Sequence, residues 1–187
     1  MQYLRSAQFK TMPWKNGGGT THEIARHDEG ESFTWRISVA DVAASGPFSL
    51  FPRHKRWLCV VSGSGMRLMG REGSYDAGLL QPVAFSGGEE IDGQLLDGPC
   101  RDFNLIFDAE KTRGSMAVRQ GPGLVSGNNE AATKFGVYLV SGTGQSTAGN
   151  VEAGDFCWLE QATDSLTLSA DAVAVTVALH SSSDQSI

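Results

Sequence analysis

Val60-Val61-Ser62-Gly63-Ser64-Gly65 in the first half of the chain is answered in the second by Leu139-Val140-Ser141-Gly142-Thr143-Gly144. In each copy an apolar, strand-like run ends in a Gly-rich turn. Asp76-Ala77-Gly78 and Glu152-Ala153-Gly154 then recur in the same order at nearly the same offset. Two correspondences in sequence point to an internal duplication. The repeated unit is all-β: β-branched and aromatic runs are short, Gly, Ser, Asp and Asn clusters separate them, and helix formers are sparse, a pattern of sandwiches and barrels.

Around this repeat, Phe33 to Val39 alternates strictly, with Phe33, Trp35, Ile37 and Val39 on one face and Thr34, Arg36 and Ser38 on the other. Residues 101 to 107 alternate again, placing Arg101, Phe103, Leu105 and Phe107 opposite Asp102, Asn104 and Ile106. Trp57 to Val61 is a buried run, and Phe48 to Phe51 reads as a short strand stopped by Pro52. The last strand, Val173 to Leu179, carries Ala172, Ala174, Thr176 and Ala178 on its second face, side chains too small and neutral for chemistry. From Ala109 to Glu130 the chain is polar, Gly-rich and weakly patterned, and reads as a connector. The expected organisation is an amino-terminal half, residues 1–110, carrying any site, and a second half, residues 111–187, packed with it as one compact unit.

At 187 residues, folding removes roughly 70% of the unfolded surface from water, enough for a sizeable core without staples. Cys59, Cys100 and Cys157 are odd in number and lie in apolar runs, which suits reduced thiols. The first residues lack an apolar signal core, so a soluble cytoplasmic chain is expected. A formal charge of −6, from 15 Lys plus Arg against 21 Asp plus Glu, argues against nucleic-acid or membrane partners. A small ligand is the expected partner, with a homodimer left open.

The most unusual stretch is Met12 to Ile24, in which Pro13, Trp14, Lys15 and Asn16 lead into Gly17, Gly18 and Gly19. Three successive glycines admit positive φ and let another group approach the backbone, so their N–H groups can form an anion-binding concavity with Lys15 and Asn16 at its lip. A plain turn between strands would need neither the indole nor the cation. A nucleotide-binding loop is excluded, because Lys15 precedes the glycines instead of following them.

A strand, Ser-Gly-x-Gly, a strand and x-Ala-Gly-Asp resemble the punctuation of cupin barrels, most plainly in Tyr138 to Leu159. The whole chain up to His180 resembles the HutD/Ves family of small two-cupin proteins. The resemblance rests on Pro13-Trp14-Lys15-Asn16-Gly17-Gly18-Gly19-Thr20 with Glu23-Ile24, Trp35-Arg36-Ile37-Ser38, Gly46-Pro47-Phe48-Ser49, Phe51-Pro52, Arg56 and Arg101-Asp102-Phe103-Asn104. In that family a glycine often follows the Phe-Pro and an acidic residue often precedes the arginine, where this chain has Arg53 and Lys55. The resemblance implies a bicupin fold and a link to histidine utilisation, as a regulator binding an intermediate such as urocanate or formylglutamate.

Metal-dependent cupins carry His-x-His, and this chain has four separated histidines, with His54 followed by Lys55 and Arg56, cations that oppose metal binding. No catalytic metal or cofactor is expected. There is also no Gly-x-Ser-x-Gly elbow, and no base stands beside a cysteine. The expected site is therefore a polar patch in an apolar container, made by Trp14, Lys15, Asn16, Gly17, Gly18 and Thr20 with Arg36, Ser38, Asp102 and Asn104. In it Arg36 grips a carboxylate, Lys15 adds charge, Trp14 covers a planar ligand, and Asp102 is held ionised by an arginine. Alternation turns Arg101 away from Asp102, to reach around an edge or to pair with a surface acid. Two function classes follow: a non-catalytic binding protein for a small carboxylate, or a metal-independent isomerase or hydrolase using Asp102 or His54 for proton transfer.

Overall fold

The computed structural model describes residues 1–30, 32–71, 73–127 and 133–181. In chain order its strands are β1 (Gln2–Leu4), β2 (Lys10–Pro13), β3 (Gly19–Glu29), β4 (Ser32–Val42), β5 (Gly46–Pro47), β6 (His54–Ser62), β7 (Met66–Met69), β8 (Ser74–Ala77), β9 (Val83–Ser86) and β10 (Asp92–Leu95). They continue with β11 (Cys100–Asp108), β12 (Thr112–Gln120), β13 (Gly123–Ser126), β14 (Lys134–Ser141), β15 (Thr143–Ser146), β16 (Gly149–Glu152), β17 (Phe156–Leu159), β18 (Ser165–Leu168) and β19 (Val173–Ser181). Among the described residues no helix is long and apolar enough to cross a membrane.

Two compact units result, Lys10–Lys111 and, together, Met1–Phe9 with the chain from Thr112 onward. The chain passes from one unit to the other between Lys111 and Thr112, and at the amino terminus the first nine residues go with the later unit. There β1 pairs antiparallel with β17, Gln2 opposite Trp158 and Leu4 opposite Phe156, so the first nine residues belong with the second half. The stretch read as a connector holds a nine-residue strand instead. As the edge of its sheet, β12 buries Thr112 and Met116 and leaves its other side chains at least partly exposed, so no clean alternation marks it. The rest of that reading, from Asn128 to Glu130, lies outside the described residues.

The Lys10–Lys111 unit is a sandwich of a six-stranded sheet, β2-β3-β4-β11-β6-β9, and a four-stranded sheet, β5-β10-β7-β8. Ala40, Leu58, Val60 and Phe85 of the first meet Met66, Leu68 and Ala77 of the second in one apolar cluster. Each fully buried Leu or Val there contributes about 1.5–3 kcal/mol relative to exposure. The other unit repeats the plan: β12-β19-β14-β17 takes the place of β4-β11-β6-β9, with β1 as the outer strand, and β13-β18-β15-β16 takes the place of β5-β10-β7-β8. Even the irregularity is copied. Val61 is skipped in the pairing of β6 with β11, and Val140 in the pairing of β14 with β19, just before the Gly-rich turns. The duplication therefore yields an all-β bicupin whose halves are open sandwiches and not closed barrels.

Candidate functional site

The floor of the site is the inner face of the six-stranded sheet, where three rows of paired residues cross β4, β11 and β6. Ala40, Asp102 and Val60 form one row, Ser38, Asn104 and Leu58 the next, and Arg36, Ile106 and Arg56 the third. The period-two alternation of all three strands puts these nine side chains on one face. Between this floor and the segments around Trp14 and Phe48 lies a cavity of about 480 Å³, within the usual range for small-ligand sites.

Seven expected residues line it: Trp14, Lys15, Asn16, Arg36, Ser38, Asp102 and Asn104. Gly17, Gly18 and Thr20 do not. The Gly17 N–H donates to the Trp14 carbonyl at 3.0 Å and the Gly18 N–H to Asn16 Oδ1 at 3.0 Å, so these amides close the loop on itself and form no concavity for an anion. Gly17, at φ 71°, makes the turn possible. Gly19 serves packing: a Cβ there would sit 2.5 Å from the Asp41 carbonyl oxygen and 3.0 Å from the Trp14 ring. Trp14 is held by its Nε1, which donates to Thr21 Oγ1 at 2.8 Å. Alternation along β3 points Thr21 to the cavity and Thr20 away from it. Thr34, on the polar face of its strand, instead donates to Glu29 Oε2.

Of the lining residues that the sequence did not assign to the site, Arg56, Phe48 and Phe51 matter most. The segment Phe48 to Phe51, expected as a strand, is a loop over the cavity: the strand stops at Gly46–Pro47, opposite Asp92 and Gly93, and the loop is tied down by the Phe48 N–H to the Ile91 carbonyl and the Phe51 N–H to the Gly87 carbonyl. Its Phe48 and Phe51, with Phe85, surround the Arg56 guanidinium at 4.9, 5.8 and 5.1 Å from the ring centroids. That cage favours the cation by its ring faces while excluding water. Burial, opposed by Asp102 and aided by Arg36, pulls the Arg56 pKa down to about 10, which leaves it charged at neutral pH.

A directional chain of hydrogen bonds crosses the floor. Arg56 Nη2 donates to Asn104 Oδ1 at 2.9 Å, and Asn104 Nδ2 donates to Asp102 Oδ1 at 2.6 Å. Asp102, 1% exposed, is not held ionised as the sequence led us to expect. Burial pushes its carboxyl up to about 7, outweighing the Arg56 charge and the Asn104 hydrogen bond. Arg36 is also differently engaged: its Nε lies 2.8 Å from Glu23 Oε2, an ion pair by distance, though the N–H is not aimed well enough for a hydrogen bond. The less neutralised cation on the floor is Arg56.

Arg101 does not line this cavity. Its guanidinium grips Asp41 with two bonds, Nε to Oδ1 at 2.6 Å and Nη2 to Oδ2 at 2.9 Å, and with His22 it keeps that carboxyl below the usual carboxylate range. His54 does not line the cavity, and both its ring nitrogens lie 3.0 Å from carbonyl oxygens, those of Pro52 and Phe33. Cys59, Cys100 and Cys157 are buried, their thiols pushed up to about 12 by desolvation, and so are poor nucleophiles.

The metal that many cupins carry does not fit these residues. His54 is turned to carbonyls, the floor presents two guanidiniums, and the described residues contain no group of three His, Cys, Asp or Glu that could hold an ion.

Comparison with known proteins agrees with this architecture. A Pseudomonas putida protein described as an uncharacterized 21.2 kDa protein in the hutC 3′ region is 44% identical over 121 residues, covering 62% of this chain and 63% of that protein. Protein Ves of Cronobacter sakazakii is 33% identical over 115 residues, 58% of this chain and 63% of its own. The match thus spans somewhat under two thirds of the length of these curated relatives. The solved structure of HutD from Pseudomonas fluorescens SBW25 superposes with a TM-score of 0.84 at 30% identity, covering 96% of this chain and 98% of that one. YhhW from Escherichia coli and an oxalate decarboxylase from Lactobacillus farciminis, at 9% and 10% identity and TM-scores of 0.69 and 0.66, share the fold alone. The HutD family profile matches residues 6–178, and with that span the chain belongs to the HutD family.

Proposed function

We propose that this protein is a non-catalytic binding protein for a small carboxylate, linked to histidine utilisation, with urocanate and formylglutamate as candidate ligands. The observation that carries the reading is the Arg56 guanidinium: buried, caged by three phenyl rings, beside a cavity of ligand size, and bonded to the neutral Asn104 amide. A fixed guanidinium is suited to a carboxylate, and Lys15 at the rim adds positive charge. Trp14 and Phe48 offer flat apolar walls for the rest of such a ligand. The gene context named for the Pseudomonas putida relative supports the metabolic link.

The test is a thermal-shift and calorimetric screen of urocanate, formylglutamate, histidine and glutamate. Stabilisation by urocanate or formylglutamate is expected, with Arg56→Ala weakening binding by about a hundredfold and Arg36→Ala by about tenfold. Failure of every carboxylate to bind would refute the proposal. Asp102, buried and titrating near neutrality, also favours a second reading, a metal-independent isomerase or hydrolase. Product analysis separates the two: turnover lost in Asp102→Ala supports the enzyme.

A further inference from the structure

Two buried polar atoms of the floor have no hydrogen-bond partner among the described residues and belong to side chains that line the cavity without a near ion pair: Arg56 Nε and Asp102 Oδ2. The bonding of their neighbour explains why both are left over. Asn104 takes Arg56 by its Nη2 and Asp102 by its Oδ1, and so leaves Arg56 Nε and Asp102 Oδ2 unmet. An unpaired buried polar atom costs about 1–3 kcal/mol, and two beside one cavity indicate a ligand that meets them.

The two atoms differ in what they can do. A guanidinium N–H only donates, whereas a carboxyl oxygen accepts when ionised and donates when protonated. A ligand carboxylate brings acceptors alone, so it satisfies Arg56 Nε directly, but it satisfies Asp102 only if Asp102 is the acid. An ionised Asp102 would face it as a second anion in a water-poor site.

The surroundings decide whether the acid form is accessible. On β6 Asp102 faces Arg56, which favours ionisation, while Cys59 lies on the other side of the sheet; on its own strand are Cys100 and Arg101. From β4 come Asp41, which opposes ionisation and is itself clamped by Arg101, and Arg36, paired to Glu23 of β3. Lys15 stands at the rim. The loop Phe48 to Phe51 contributes no ionisable group, and the facing sheet presents Met66, Leu68 and Ala77. Desolvation prevails in this balance, and the carboxyl titrates at about 7.

We infer that Asp102 is the specificity-determining donor of the site: as a carboxylic acid it hydrogen-bonds the ligand's carboxylate, so that wherever Asp102 starts ionised each anion enters together with one proton from solvent. This rests on the carboxylate reading of the cavity. The balance is simple: ionised Asp102, ligand anion and one proton give a complex with neutral Asp102. The site then prefers a plain carboxylate to its amide, because an amide N–H would be met better by ionised Asp102.

The experiment is titration with sodium formate, followed by NMR, of the wild-type protein and Asp102→Asn at about pH 5.5, 7 and 8.5. Wild-type affinity should fall about tenfold per pH unit above 7, while Asp102→Asn, whose neutral amide always donates, should lose that slope and bind better than wild type at high pH. Calorimetry of the wild type in two buffers of different ionisation enthalpy, at about pH 8, should register uptake of about one proton per formate bound, independently of how the variant folds. Formate binding with no pH slope, or strengthening with pH, would overturn this inference alone. No binding of formate, urocanate or formylglutamate at any pH would overturn the carboxylate reading and this inference with it.

Discussion

The shared bulges allow the two halves to be aligned residue by residue, and the alignment sets unlike chemistry on like scaffolds. Asp102 and Asn104 of β11 correspond to Ala174 and Thr176 of β19, while Arg56, Leu58 and Val60 of β6 correspond to Phe135, Val137 and Leu139 of β14. The second unit fills its interior with Phe135, Val137, Leu139, Leu166 and Ala174, and Thr176 on this face donates to the Ala117 carbonyl. The first fills only part of its interior that way and leaves the rest as a polar cavity. One copy is thus packed for stability, and the other gives up packing to hold charge.

The sharpest way to break the comparison is to move the acid. Ala174→Asp would bury a carboxyl opposite Leu139, with the exposed Arg119 of β12 as the cation in register with it and no buried guanidinium like Arg56 on β14, and should destabilise the protein by about 2 kcal/mol or more. Denaturant unfolding measures this, and a loss below about 1 kcal/mol would mean that the two floors are less different than they look.

A middle-sized effect should come from Asp102 itself. Its folded-state value of about 7 lies above the ordinary value of about 3.9, so the folded protein holds this proton more tightly. The resulting contribution is complete below about pH 4 and is lost as pH rises through 7. Without ligand, wild-type stability should therefore decline between about pH 5 and 8 by an amount on the order of a few kcal/mol that Asp102→Asn does not show. Equal slopes in denaturation at the two pH values would remove Asp102 as the cause.

The smallest effect concerns the cavity loop. Arg53 adopts φ 68°, the left-handed region that glycine enters freely, at the position where the family pattern often has glycine. Arg53→Gly should raise stability by about 0.5–1 kcal/mol, read as a small upward shift in Tm, without touching the cavity floor.

Much of this was legible in the sequence, and the remainder was hidden for definite reasons. Alternation in Phe33 to Val39 and in residues 101–107 gave Arg36, Ser38, Asp102 and Asn104 their common face, and the repeated Ser-Gly-x-Gly turns gave the duplication. Arg56 was within reach, since Arg56, Leu58 and Val60 share a period of two, but in the run from Trp57 to Val61 both faces are largely buried, so a count of apolar residues conceals the pattern. The state of Asp102 could not be read, because desolvation is a property of the assembled sandwich and the nearest cation acts through Asn104. The glycine amides misled for a local reason: the side chain of Asn16 takes the N–H that an anion would have needed.

The placement of β1 alters how the molecule can be dissected. Severing the chain near residue 110 would strand Gln2–Leu4 on the wrong piece and bare the outer side of β17, a ready template for aggregation. A fragment of residues 10–111 keeps its own sheets whole, whereas one beginning at residue 112 should need a peptide of residues 1–9 supplied in trans, making the pair a natural split for complementation.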